Sequence, residues 1–133
     1  RRWRSRLELE LNLEPQFFPT DANLASCVII GAIEKGHNVT ELVYELMRAV
    51  WVREEDVSET SVVTGAIERS GGSVEDLLAA ASHCAVPEVI VKNSEQAISK
   101  GVFGVPSYVV GDEVFWGQDR LEFLDVFLSD QQG

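Results

Sequence analysis

The sequence predicts an α/β chain with the element order β, five helices, β-β, α, and three observations predict it. Leu7, Leu9, Leu11 and Leu13 alternate with Glu8, Glu10, Asn12 and Glu14, the period of two that marks a strand with one buried face. From about residue 21 to residue 101, apolar residues recur at the three-and-four spacing of amphipathic helices. Two short strand-like runs then flank Gly111-Asp112, a two-residue hairpin loop in which glycine can take positive φ.

Each element has its own signals. Pro15 ends the alternating run, and Phe17 and Phe18 in the turn that follows are expected to pack under the helices. Thr20 or Asp21 can cap a first helix carrying Leu24, Ala25, Val28, Ile29, Ala32 and Ile33 on its apolar side, and Gly36 stops it. Asn38 stands three residues before Glu41, a capping-box spacing, and opens a second helix with Val39, Leu42, Val43, Leu46, Met47 and Val50 on one face. A third helix is predicted from about Ser58 to Arg69, with Val62, Val63, Ala66 and Ile67 inward and Gly71-Gly72 at its end. Ser73 and Asp76 repeat the capping spacing before a fourth, which turns Leu77, Leu78 and Ala81 to the core. Pro87 suits the first turn of a fifth, where a missing N–H costs nothing, and that helix stops at Gly101. The strand runs are Ser107 to Val110 and Glu113 to Trp116. Asp119 and Glu122 then form a last capping box before a helix with Leu121, Leu124, Val126, Phe127 and Leu128.

Composition bounds the function. The chain has 133 residues, 45% hydrophobic and 25% charged, which is globular content for one domain. A formal charge of −11 excludes the basic footprint that nucleic acid or an anionic membrane surface requires, and reads as an aid to solubility. No apolar run is long enough to span a bilayer. The opening RRWRSRLELEL lacks the apolar core and cleavage site of a secretory signal. Cys27 and Cys84 form no C-x-x-C pair and sit among apolar neighbours, so they read as buried free thiols in a reducing cytoplasm. His37 and His83 have no metal-ligand spacing, and no metal site is expected. Glu54, Glu55, Asp56 and Glu59 read as a solvated acidic face, and Trp3, Trp51 and Trp116 as packing anchors.

Two dipeptides carry more than one reading. Val105-Pro106 is either a plain strand start with its missing donor facing outward or a cis bond that turns backbone groups toward a cleft. Gln118-Asp119 either caps the last helix or meets a ligand, because a carboxylate beside a helix N-terminus suits the zwitterionic head of an amino acid.

FFPTDANLA, MRAVWVREEDVSE and AISKGVFGVPSYVVGDEVFWGQDRL together resemble the bacterial 2-hydroxychromene-2-carboxylate isomerases. These are relatives of kappa-class glutathione transferases and, more distantly, of thioredoxin-like disulfide oxidoreductases. The resemblance covers essentially the whole chain, and the last run is its specific part. It implies a thioredoxin-like sheet, built by residues 1–20 and 101–133, interrupted by a helical insertion and return helix over residues 21–100. It also implies a glutathione-binding corner. Val105 matches the residue whose backbone pairs with glutathione, Pro106 the cis-proline, and Gln118 and Asp119 the positions that hold the γ-glutamyl head. Serine on the glutathione sulfur, carried in that family by an N-terminal strand and helix, has no counterpart from Arg1 onward. The sheet is therefore expected to be N-terminally incomplete, and no catalytic residue is assigned.

The activity the resemblance implies is glutathione-dependent isomerisation of a small aromatic carboxylic acid, with this chain inactive alone. A homodimer, or another chain, is expected to supply the missing strand. The alternatives are a thiol–disulfide oxidoreductase of the same fold, and a non-enzymatic helical interaction module or degenerate fragment.

Overall fold

The computed structural model describes residues 2–82 and 86–131. The chain divides into two compact units, Arg1–Val86 and Pro87–Gly133. Within the first, α1 (Arg2–Arg6) is followed by an irregular segment and then by α2 (Asn23–Glu34), α3 (Thr40–Trp51), α4 (Thr60–Arg69) and α5 (Val74–Ser82). The second contains most of α6 (Val86–Ser99), then β1 (Ser107–Val110), β2 (Glu113–Trp116), a 3₁₀ turn (Gln118–Arg120) and α7 (Leu121–Asp130). A small open two-stranded sheet in one unit and a large helical insertion in the other are the α/β elements the sequence implied, with an incomplete thioredoxin-like core.

The four longer helices of the first unit close around a core at the spacings read from the sequence. Val28 and Ala32 of α2, Leu42, Leu46 and Ala49 of α3, Val63, Ala66 and Ile67 of α4, and Leu77 and Ala81 of α5 form one buried cluster. Helices α2 and α5 approach closely at Gly31, where a Cβ would lie 2.9 Å from the Ala80 carbonyl carbon. Only the absence of a side chain lets the two backbones come that near. Outside the core, Arg69 of α4 pairs with Glu45 of α3 at 3.0 Å and ties the two helices, while Arg53, just past α3, pairs with the same carboxylate at 3.0 Å.

At three helix starts a side chain the sequence offers as a cap bonds to nearby backbone, although the residues directly before α2 and α3 are Ala22 and Val39, neither with a side-chain cap of its own. Asp21 Oδ1 accepts from the Asn23 N–H at 2.8 Å, Asn38 Oδ1 from Thr40 at 3.0 Å, and Ser73 Oγ from Asp76 at 3.3 Å. The Asp119–Glu122 capping box does not form. Asp119 lies inside the 3₁₀ turn, and Arg120 precedes α7 with no side-chain cap.

The Leu7–Leu13 strand is also absent. Its residues run from the end of α1 as turn and irregular chain, with Leu7, Leu9 and Leu13 exposed. Alternation specifies a strand only when another strand lies alongside to take its N–H and C=O groups. Among the described residues none does, and Asn12 turns instead to the end of α3. Its N–H donates to the Trp51 carbonyl at 2.7 Å and its Nδ2 to that of Val52 at 3.3 Å, satisfying acceptors that a helix C-terminus leaves open.

Other expectations are modified. Val43, Met47 and Ile33, read as core, are exposed. Phe18 is exposed too, though its ring lies 4.7 Å from that of Trp51. Cys27 is a free, half-buried thiol, while Cys84 and His83 lie outside the described residues. Glu55 and Asp56 are structural rather than merely solvated. Glu55 accepts from Arg53 at 2.9 Å, and Asp56 takes the Thr20 hydroxyl at 2.5 Å and the Ser58 N–H at 3.0 Å. The Thr20 hydrogen bond, then that of Ser58, holds the Asp56 carboxyl below its ordinary range.

Candidate functional site

In the second unit, β1 and β2 pair antiparallel with Ser107 opposite Trp116 and Val110 opposite Glu113, and positive φ falls on Gly111 as the turn demands. One step past the ladder, the Gly117 N–H donates to the Pro106 carbonyl at 2.9 Å. That bond brings Val105-Pro106 and Gln118-Asp119, widely separated in sequence, to neighbouring positions at the open end of the hairpin.

Several residues hold this end in shape. Ser107 Oγ donates back to the Gly104 carbonyl at 2.6 Å and closes the turn over Val105-Pro106. The peptide bond between these two residues is cis. The Trp116 indole lies on Gly104 so closely that a Cβ there would stand 2.6 Å from Nε1, and Phe103 packs on the same indole with centroids 4.9 Å apart. Gly117 has φ +103, and the Asp119 carboxylate folds over it, with Oδ1 2.5 Å from the place a Cβ would occupy. An L residue at 117 would therefore suffer both backbone strain and collision with Asp119.

The chemical offer of this corner is specific. Val105 is 89% exposed, and its N–H and C=O have no hydrogen-bond partner among the described residues. They are a donor and an acceptor on one residue just before β1, the kind of pair by which a sheet edge holds a peptide. The Asp119 and Gln118 side chains are exposed, and Asp119 has no ion-pair partner among the described residues. Beyond the corner, Val114, Phe115, Trp116, Arg120 and Phe123 line an open groove of about 350 Å³. Gly104, Ser107 and Gly117 were not singled out from the sequence. Their signal was present, since glycine precedes and serine follows Val105-Pro106 and glycine opens GQD, but their roles depend on contacts across the hairpin. Among the described residues no group of histidine, cysteine and carboxylate side chains could hold a metal ion, and no helix is long and apolar enough to cross a membrane.

Comparison with known proteins agrees with this architecture. A solved structure of 2-hydroxychromene-2-carboxylate isomerase superposes with a TM-score of 0.75 at 24% identity, covering 98% of this chain and 62% of that one, a likeness of fold. The curated 2-hydroxychromene-2-carboxylate isomerase of Sphingobium xenophagum is 30% identical over 129 residues, which are 97% of this chain and 64% of that protein. Human glutathione S-transferase kappa 1 is 32% identical over 94 residues, 65% of this chain and 42% of its own length. The chain thus spans less than two thirds of the curated relatives it matches. Residues 1–129 match the DSBA-like thioredoxin domain, and the chain belongs to that family, close to the isomerase and kappa-class transferase branches.

Proposed function

We propose that the corner formed by Val105, Pro106, Gln118 and Asp119 binds glutathione, and that the protein serves glutathione-dependent isomerisation of a small aromatic carboxylic acid of the 2-hydroxychromene-2-carboxylate type. The observation that carries this is the pairing of an unsatisfied Val105 backbone with an unpaired Asp119 carboxylate, joined through the Gly117–Pro106 hydrogen bond. Glutathione fits that donor set. Its peptide groups match the N–H and C=O of Val105, and its γ-glutamyl ammonium matches Asp119, with the Gln118 amide able to serve the adjacent carboxylate. When bound, it supplies a thiol whose thiolate can add reversibly to a conjugated system. The residues of this chain bind and orient, a positioning role that converts an encounter between two molecules into a local event.

The names of the two curated relatives support the choice of reaction and cofactor. Thiol–disulfide exchange, the other chemistry of this fold, uses a C-x-x-C pair, which Cys27 and Cys84 do not form. Both outer edges of the β1–β2 hairpin lack a strand partner among the described residues, which leaves them open to pairing with a further strand.

Calorimetric titration with glutathione tests the reading. Saturable binding is expected, weakened roughly tenfold to a hundredfold in Asp119→Ala, the range a charge-assisted hydrogen bond contributes. Equal binding by that variant would remove Asp119 from the site, and no binding by the unmodified chain would overturn the corner as a glutathione site.

A further inference from the structure

In the helical unit, the loop between α2 and α3 and the loop between α4 and α5 line a cavity of about 180 Å³. Its floor is apolar and reaches the core through Ala32, Leu42 and Leu77, all of them buried. Its mouth is polar, with the exposed His37 and Asn38 from one loop and the exposed Ser73 and Asp76 from the start of α5. Backbone bonds fix both walls. The His37 N–H donates to the Ala32 carbonyl at 2.9 Å, and the Gly72 N–H to that of Ile67 at 3.0 Å. Gly72 lies so close over the floor that a Cβ there would stand 3.0 Å from Leu77 Cδ1.

The polar groups of the mouth are committed unequally. Asn38 Oδ1 is taken by the Thr40 N–H at 3.0 Å, and Ser73 Oγ accepts from the Asp76 N–H at 3.3 Å. Ser73 and Asp76 have capping-box spacing, yet only that half of the box forms. The Asp76 carboxylate makes no return bond and no ion pair among the described residues. It is the one carboxylate of the lining, and no lysine or arginine shares the cavity with it. Helix ends do not offset it. Helices α2 and α4 end at the cavity while α3 and α5 begin there, so partial charges of opposite sign meet around it. The cavity thus sets a bare negative charge above an apolar floor, in a chain whose formal charge of −11 attracts cations.

We propose that this cavity binds a small aliphatic primary amine in its ammonium form. Asp76 accepts from the ammonium through a charge-assisted hydrogen bond, and the alkyl chain lies on Leu42 and Leu77. The Ser73 hydroxyl and the His37 imidazole each present a lone pair to the remaining N–H groups. The site lies wholly in the helical unit and does not depend on the glutathione reading, so it is tested without glutathione.

The full chain is titrated with n-butylamine at neutral pH and followed by two-dimensional NMR. Saturable shifts centred on residues 37–42 and 70–77 are expected. The neutral isostere 1-butanol should bind at least about tenfold more weakly, and Asp76→Asn should weaken n-butylamine by about tenfold. Methylamine keeps the charge but lacks most of the chain, and should bind at least about tenfold more weakly than n-butylamine. The alcohol and methylamine comparisons use the unmodified protein, so they decide the matter even where the Asp76 variant folds poorly. Absence of saturable binding, shifts centred elsewhere, equal affinity for 1-butanol or methylamine, or unchanged affinity in a folded Asp76→Asn would each overturn the proposal.

Discussion

The helical unit and the C-terminal unit differ in how they bury apolar residues. Helices α2 to α5 enclose Val28, Val63 and Ile67 completely. In the C-terminal unit, no residue of 88–131 is buried, although Phe103, Val105, Trp116, Phe123 and Val126 are all large and apolar. Both units draw on comparable sequence signals, amphipathic helices in one and a hairpin with an amphipathic helix in the other. What separates them is the number of layers. Four helices can surround a common interior, whereas a two-stranded sheet with α6 and α7 has too few faces to exclude water. The Phe115–Phe127 contact, with ring centroids 5.5 Å apart, joins β2 to α7 without burying either ring fully. The lesson is that an apolar residue at the right period becomes core only where enough surfaces converge.

Substitutions in the two units can sharpen or break that contrast. The largest effect is expected at Ile67, fully enclosed in α4, where Ile67→Ala removes buried volume and leaves a cavity. A loss of about 2–5 kcal/mol in chemical denaturation is expected, and a loss below about 1 would mean the helical core is looser than its packing implies.

A smaller, pH-dependent effect is expected at Asp56, which ties Thr20 and Ser58 to the loop after α3. Its carboxyl is held below the ordinary value of 3.8, so the folded state prefers the ionised form. That contribution is fully present above the ordinary pKa and is lost as pH falls through the lower folded value. Thermal melts of Asp56→Asn should therefore show reduced stability at neutral pH and a gap from the unmodified protein that narrows on acidification below the ordinary range. A constant gap would remove Asp56 from the acid limb.

The smallest effect is expected at Val126 on α7, which is 61% exposed. Val126→Ala should alter stability by no more than about 0.5 kcal/mol. A loss comparable with that of Ile67→Ala would show that Val126 is covered in solution and would dissolve the contrast.

Much of the fold was legible in the sequence because its determinants are local. Helices α2 to α6 follow from periodicity, from Asp21, Asn38 and Ser73 as caps, and from glycines such as Gly36, whose φ of +79 ends α2. The hairpin follows from Gly111-Asp112 between two apolar runs. Of the candidate site, Val105, Pro106, Gln118 and Asp119 could be nominated through the resemblance of their motif, with residue type giving chemical plausibility. That the two pairs adjoin, through the Gly117 N–H and the Pro106 carbonyl, is a matter of hairpin register.

By itself, the sequence determined helices α2 to α7 but not α1, most of the residues that fill the helical core, and the turn that sets the hairpin. These depend on side-chain period and local backbone preference, which act over a few residues. Only the tertiary structure decided that Leu7–Leu13 is not a strand, that Val43 and Met47 are exposed, and that Asp76 borders a cavity lined by no lysine or arginine. Each of those outcomes turns on a partner far away in sequence: a strand to pair with, a helix to pack against, or a cation near enough to hold a carboxylate. A one-dimensional pattern states what a residue would favour, while the groups that fold against it determine which preference is satisfied.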